Sequence, residues 1–103
     1  GEEWQSEQRS AFAGPVASEI GKTLVAADRS EEALEWFGLA VLIETQSRPA
    51  GHYRVGIAHL ELAAASSEAA DRVEHAQDAV DLLVPALGEG HPFSRRARSL
   101  LSQ

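Results

Sequence analysis

Four histidines are the residues of this chain best suited to bind a metal ion, because imidazole nitrogen is a common ligand of zinc. His52 and His59 are seven positions apart, which puts them on one face of a helix, and His75 belongs to the next helical segment. Metal ligands that share a helix are more often three or four positions apart, with a carboxylate nearby. From the histidine spacing we therefore expect no metal site and no cofactor.

Hydrolytic chemistry is not indicated either. Serine, histidine and aspartate are all present, but no serine lies in a strand–turn–helix sequence that would expose it as a nucleophile. Gly88 and Gly90 follow a helical segment, whereas the glycines of a phosphate-binding loop follow a strand. The absence of cysteine excludes disulfides, thiolate zinc ligands and cysteine nucleophiles. We expect no catalytic residue, and hence no enzyme, in these 103 residues.

The charge of the chain also narrows the classes of partner. Its net charge is −7, from 16 acidic and 9 basic residues, which disfavours binding to nucleic acid. No apolar run is long enough to span a membrane. One acidic stripe has two interpretations, a solvated helix face or a surface for a basic partner; it consists of Glu68, Asp71, Glu74, Asp78 and Asp81.

The composition and the first residue suggest the cellular location of the protein, the kind of genome that encodes it and the extent of the full chain. The absence of cysteine agrees with a cytoplasmic protein, and the abundant alanine and arginine indicate a GC-rich bacterial genome. Because the chain starts with Gly1 and not with methionine, we expect it to be part of a larger protein.

Helices would position all of these residues. Alanine, leucine, glutamate and arginine dominate, and alternating β-branched stretches are absent. Pro15, Pro49 and Pro92 each precede a helical stretch, at successive spacings of 34 and 43 residues. The sequence predicts helices over residues 2–12, 15–27, 30–44, 49–65, 68–87 and 92–101. In the fifth of these, a buried stripe is predicted at Val73, Ala76, Val80, Leu83 and Leu87.

Residues 32–41 and 78–87 indicate an internal repeat with a shift of 46 positions. Acidic residues match acidic residues at two places, and small or apolar residues match at most of the others. The matched pairs include Ala33 with Ala79, Phe37 with Leu83 and Ala40 with Ala86.

The spacing of Ile20-Gly21, Leu24, Ala33, Phe37 and Ala40 resembles the signature of the tetratricopeptide repeat (TPR) family. The segment LGEGHP, which ends at Pro92, is similar to the turn between repeats of the kinesin-light-chain-like variety. This resemblance implies an all-α fold, an α-α superhelix of antiparallel helical hairpins with about two and a half repeats. Two positions depart from the signature: Leu24 replaces an aromatic residue, and Asp28 replaces the turn glycine. In the second repeat, Gly56 is one position out of register with Gly21 by the proline spacing.

The resemblance also implies the organisation of a single domain over residues 1–103. Its parts would be a leading helix (1–12), a first hairpin (14–46), a second hairpin with an insertion (47–90) and a capping helix (91–103). A single hairpin cannot bury both of its faces, so stacked hairpins share a core and the last one needs a cap.

The function implied by the resemblance is protein–protein interaction. In this family the first helices of the hairpins line a concave face, where a partner segment binds. Matching the prolines places six basic or aromatic residues there, which suit an acidic peptide or a terminal carboxylate: Lys22, His52, Tyr53, His59, Arg95 and Arg96. Because the chain contains no asparagine, the asparagine clamp of chaperone-binding members cannot be present.

Two alternatives stay open. The arginines near the end of the chain are equally consistent with solvated charges on a capping helix. The domain could also be regulatory or self-associating, packing on a neighbouring domain or on a second copy of the chain, with Trp36 as a candidate contact residue.

Overall fold

Five α-helices follow one another in the computed structural model, which describes the backbone of residues 2–103 and the side chains of residues 12–103. They are α1 (Glu2–Ala26), α2 (Ser30–Ser47), α3 (Tyr53–Ala65), α4 (Ala69–Leu87) and α5 (Pro92–Leu101). The described part of the chain contains no strand, so the predicted all-α class is confirmed.

The predicted break between residues 12 and 15 is wrong, because α1 continues through Pro15. A proline inside a helix loses one hydrogen bond to the preceding turn and crowds it. Gly14 and Ala17 on either side of Pro15 are both buried, and Gly14 lies directly against the side chain of Glu44 in α2. This packing holds the helix together across the proline, so residues 2–12 belong to the same helix as residues 15–26.

The start of α3 also differs from the prediction, since Pro49 lies in a turn and the helix begins at Tyr53. Nδ1 of His52 accepts a hydrogen bond from the backbone N–H of Arg54 at 3.1 Å and thereby caps α3. His91 caps α5 in the same way, because its Nδ1 accepts the N–H of Phe93 at 3.1 Å. The predicted start of α5 at Pro92 is confirmed.

The helices form two antiparallel hairpins and a fifth helix. Gly14 meets Glu44 and Gly21 meets Phe37, so α1 and α2 run in opposite directions. In the second hairpin α3 packs on α4, and α5 then packs on α4. Among the described residues α3 also contacts both α1 and α5, whereas α2 and α4 do not touch. Helices α1, α3 and α5 therefore lie side by side and form one face of the molecule, called the odd-helix face below.

Most of the residues that the sequence repeat singled out are buried. Ala33, Ala40, Ala79 and Leu83 are fully buried, and Phe37 is 4% exposed. Gly21 is buried and Leu24 is half-buried.

Two left-handed turns end helices: Asp28 has a φ of 62° after α1, and Gly88 has a φ of 95° after α4. Asp28 thus adopts the backbone conformation that a turn glycine would favour.

Two predicted core positions are wrong, because Ala86 is exposed and Val73 is 42% exposed. Gly56 of α3 faces Leu83 of α4, so in an antiparallel pair Ala86 lies level with Tyr53, the first residue of α3. Val73 lies level with Ser66, just beyond the last residue of that helix. Helix α3 is too short to cover either end of α4.

Candidate functional site

A groove runs along the odd-helix face. It consists of two adjoining hollows of about 340 Å³ and 320 Å³, which share the side chains of Lys22, Ile57, Glu61 and Phe93. The first hollow lies beside Tyr53 at the start of α3, and the second lies beside Ala64 and Ala65 at its end. Each of the three helices contributes to both hollows, so the groove depends on the packing of the whole domain.

Aromatic and aliphatic side chains form the floor and one rim of the groove. Ile57 and Phe93 are half-buried, and Tyr53 is 37% exposed. The ring of Tyr53 stacks on that of His52 with centroids 4.7 Å apart, and Cζ of Arg54 lies 5.8 Å from its centroid. These contacts restrain a partly exposed aromatic ring at the rim, which suits it to contact an apolar side chain of a ligand.

An ion pair crosses the groove between the two hollows. Nζ of Lys22 on α1 lies 3.3 Å from Oε2 of Glu61 on α3 and 3.4 Å from Oε1 of Glu19. Burial acts to lower the pKa of Lys22, but the two carboxylates outweigh it and hold the pKa above its ordinary value. Lys22 therefore stays charged at neutral pH, and any anionic ligand competes with Glu61 for it.

Glu44 adds a buried negative charge at the edge of the first hollow. It is 3% exposed, and its Oε2 accepts a hydrogen bond from Nε of Arg48 at 3.0 Å. Its Oε1 is buried against Gly14 and has no hydrogen-bond partner. The first hollow thus carries more acids than bases, whereas in the second hollow Lys22 and Arg96 face Glu61 alone. The groove is of mixed charge, and only its second hollow has the excess of bases that the sequence led us to expect.

Of the six predicted partner-binding residues, Lys22, Tyr53 and Arg96 line this groove. His52 lies behind the ring of Tyr53 and uses its Nδ1 to cap α3. Arg95 is exposed but lines neither hollow.

His59 does not belong to the groove. It lies two positions from both Ile57 and Glu61, which is a rotation of about 200° around a helix, so it faces α4. Placing it with Lys22 was therefore wrong. The error arises because the two hairpins were aligned on Pro15 and Pro49. The turn after Pro49 makes helix α3 begin later than this alignment assumes.

The groove residues that were not predicted include Arg54, Ile57, Glu61 and Phe93. The spacing of Tyr53, Ile57 and Glu61, each four positions from the next, would have indicated one face of a helix. No comparable signal exists for Phe93, because its position depends on how α5 packs on α4 and α3.

A second cluster of polar side chains lies within the second hairpin. His59 of α3 faces His75 and Asp78 of α4, and one potential ligand atom from each lies within 4.8 Å of the others. Comparing histidines only with one another misses this group, because its third member is a carboxylate three positions after His75. His75 and Asp78 are three positions apart on α4, a spacing that the comparison of the histidines alone did not consider.

The surface of α1 that faces away from α2 is apolar. Phe12 is 68% exposed and Val16 is 55% exposed, and they border a shallow hollow that also includes Ile20, Thr23 and Leu24. We call this surface the α1 outer face. Apolar side chains recur along it at helical spacing, which is typical of a surface that another helix covers.

Comparison with protein-family models gives no match for this chain, and comparisons with curated proteins and with solved structures give none either. Among the helices of the described residues, none has the length and apolar character needed to cross a lipid bilayer.

Proposed function

We propose that this chain is a protein-interaction module of the tetratricopeptide-repeat kind, which binds a segment of a partner protein in the groove of the odd-helix face. The groove itself carries the proposal. It crosses three helices and exposes restrained aromatic and aliphatic side chains between charges of both signs. Such a combination of apolar anchors and a charged rim is typical of peptide-binding grooves.

Contacts repeated between the two hairpins support the family assignment. Gly21 lies against Phe37, and Gly56 lies against Leu83, which is 46 positions after Phe37. This shift is the one found between residues 32–41 and 78–87 of the sequence. In the second hairpin, Gly56 therefore corresponds to Gly21. The proline spacing puts the two glycines one position out of register because the chain between Pro49 and α3 differs in length from the corresponding part of the first hairpin.

The chemistry of the groove defines the partner segment that we propose. An apolar side chain would lie against Phe93 and Ile57, and a carboxylate on its C-terminal or N-terminal side would approach Arg96 and Lys22 in the second hollow. Arginine can donate two parallel hydrogen bonds to a carboxylate, which adds direction to the charge attraction. The acids of the first hollow would repel the same carboxylate and so favour its placement in the second hollow.

Peptides selected from a random library against the immobilised protein test the proposal, because no partner has to be known beforehand. Their affinity is then measured for the parent and for two matched variants, Arg96→Glu in the groove and Arg95→Glu beside it. We expect Arg96→Glu to weaken binding by up to about fivefold, since an exposed charge contact contributes about 0–1 kcal/mol. Arg95→Glu should change the affinity little, because Arg95 does not line the groove. Added salt should weaken binding to the parent, because charges are screened beyond about 8–10 Å. Equal effects of both variants, or no dependence on either, would place the binding surface elsewhere.

A second candidate function, self-association or packing on a neighbouring domain, is favoured by the α1 outer face. Light scattering of the protein over a range of concentrations would detect a dimer. Val16→Asp should then abolish the dimer, whereas Val73→Asp, at another exposed valine on α4, should leave it intact. The mass of a monomer at every concentration would exclude self-association.

A further inference from the structure

His59, His75 and Asp78 lie together across the second hairpin, away from the groove. The two imidazole rings stack with centroids 6.0 Å apart and planes inclined by 28°. Nδ1 of His59 is 3.8 Å from Oδ2 of Asp78, which is longer than a hydrogen bond. The three side chains are therefore close to one another without being bonded to one another.

Both histidines leave a polar atom without a partner inside the protein. Nδ1 of His59 and Nδ1 of His75 are buried, and neither makes a hydrogen bond. Buried polar atoms are almost always hydrogen-bonded or bound to an ion, so these two nitrogen atoms, one of them 3.8 Å from the Asp78 carboxylate, are suited to bind an ion.

The spacing of the three residues also suits a metal ion. His75 and Asp78 are three positions apart and share one face of α4, while His59 approaches from the antiparallel helix α3. Around a tetrahedral zinc ion, ligand atoms about 2.0–2.2 Å from the metal are separated by roughly 3.3–3.6 Å. No two of the three ligand atoms are more than 4.8 Å apart, so no pair would need to approach by more than roughly 1.5 Å. Rotation of the two rings and of the carboxylate can supply this movement, because these terminal torsions are broad.

We propose that His59, His75 and Asp78 form a binding site for one divalent transition-metal ion, with zinc as the ion that fits this ligand set best. Two imidazoles and one carboxylate favour zinc or a similar ion over magnesium and calcium, which prefer oxygen ligands alone. Three protein ligands leave a fourth position open for water or for a group of another molecule. The side chain of Asp78 is 49% exposed, so an ion can enter from solvent at that side. A bound ion would connect α3 to α4 and stabilise the second hairpin.

The test is a calorimetric titration of chelator-treated protein with Zn²⁺, together with its thermal unfolding. We expect one ion per chain, a melting temperature that rises with Zn²⁺ concentration, and no such response to Mg²⁺. Asp78→Asn should lower the affinity at least roughly tenfold, and Asp81→Asn, one turn further along α4, should leave it unchanged. Because Asp78 is half exposed, its substitution does not threaten the fold, which circular dichroism can verify.

Two further measurements locate the ion. The double variant His52→Ser with His91→Ser removes the histidines that cap helices but keeps capping side chains, so Zn²⁺ should bind to it as to the parent. Co²⁺ bound to the parent should show the intense visible absorption of a four-coordinate ion, and this absorption should be lost in Asp78→Asn. Absence of Zn²⁺ binding, or binding that depends on His52 and His91 and not on Asp78, would overturn the proposal.

Discussion

Gly21 lies so close to the ring of Phe37 that a Cβ atom at this position would be 2.6 Å from Cε1 of the ring. Real Cβ atoms do not approach other atoms so closely, so α1 and α2 can pack at this separation only if residue 21 has no side chain. The second hairpin repeats the relationship, because a Cβ atom at Gly56 would be 2.8 Å from Cγ of Leu83. Both hairpins thus depend on a glycine in the first helix and a large apolar side chain in the second.

We expect Gly21→Ala to destabilise the protein and Gly38→Ala to stabilise it. Alanine is favoured over glycine in a helix interior by about 1 kcal/mol, and Gly38 has open space where its Cβ atom would lie. At Gly21 the same gain is outweighed by overpacking against Phe37, which costs typically about 1–3 kcal/mol. Thermal or urea unfolding shows for each variant whether the free energy of unfolding is lower or higher than that of the parent. If Gly21→Ala is as stable as Gly38→Ala, α1 and α2 do not pack as closely as described.

Gly56→Ala extends the same test to the second hairpin. The contacts of a Cβ atom there are Leu83 and Leu82, so overpacking should again lower the free energy of unfolding by about 1–3 kcal/mol. Equal losses for Gly21→Ala and Gly56→Ala would support their equivalence in the repeat. A neutral Gly56→Ala would instead leave Gly21 without a counterpart in the second hairpin.

Ala79→Leu and Ala86→Leu should differ, although the sequence repeat treats both alanines as core positions. Ala79 is fully buried, so added methyl groups should cost about 1–3 kcal/mol, and the same is expected for Ala33→Leu. Ala86 is exposed at the end of α4, where a substitution should change stability by less than about 0.5 kcal/mol. Urea unfolding distinguishes the two, and a large loss for Ala86→Leu would mean that this end of α4 is covered.

The sequence predicted the helices of this fold better than it predicted how far each helix is shifted along its neighbour. The helical class, the start of α5 and the buried positions Ala33, Phe37 and Leu83 all follow from local spacing. Which residues of two neighbouring helices lie opposite each other depends on the lengths of the turns, and hydrophobic periodicity within a helix does not indicate those lengths. That is why Ala86 appeared to be buried.

The candidate sites show the same limit. Lys22, Tyr53 and Arg96 were assigned to one face from the prolines, and they do line one groove. Glu44 of α2 also reaches this groove, but it carries no local signal of doing so, since an acid on a helix is usually solvated. His59 meets His75 and Asp78 only because α3 and α4 are antiparallel, which relates residues far apart in the sequence.

Ser94→Ala should leave the protein as stable as the parent or make it more stable. Ser94 is fully buried on α5, and its hydroxyl group has no hydrogen-bond partner. An unsatisfied buried polar group costs about 1–3 kcal/mol, and alanine is also the better helix former. The gain should appear as a higher urea midpoint with an unchanged slope. A clear loss of stability would show that the hydroxyl group has a partner, such as a buried water.

Helix α5 should be required to cover the second hairpin. Ala97 is fully buried in the cluster that contains Leu60, Val80 and Leu83, and Phe93 and Leu100 pack around it. Ala97→Glu places a charge in this cluster and should lower the free energy of unfolding by several kcal/mol, because a buried charge without a partner is strongly unfavourable. Ser99→Glu adds the same charge at an exposed position of the same helix and serves as the control.

Deletion of residues 91–103 should have at least the effect of Ala97→Glu and should promote aggregation, since it uncovers Leu83 and Val80. If the deleted protein stays monomeric by light scattering and melts at the temperature of the parent, α5 does not act as the cap of the second hairpin.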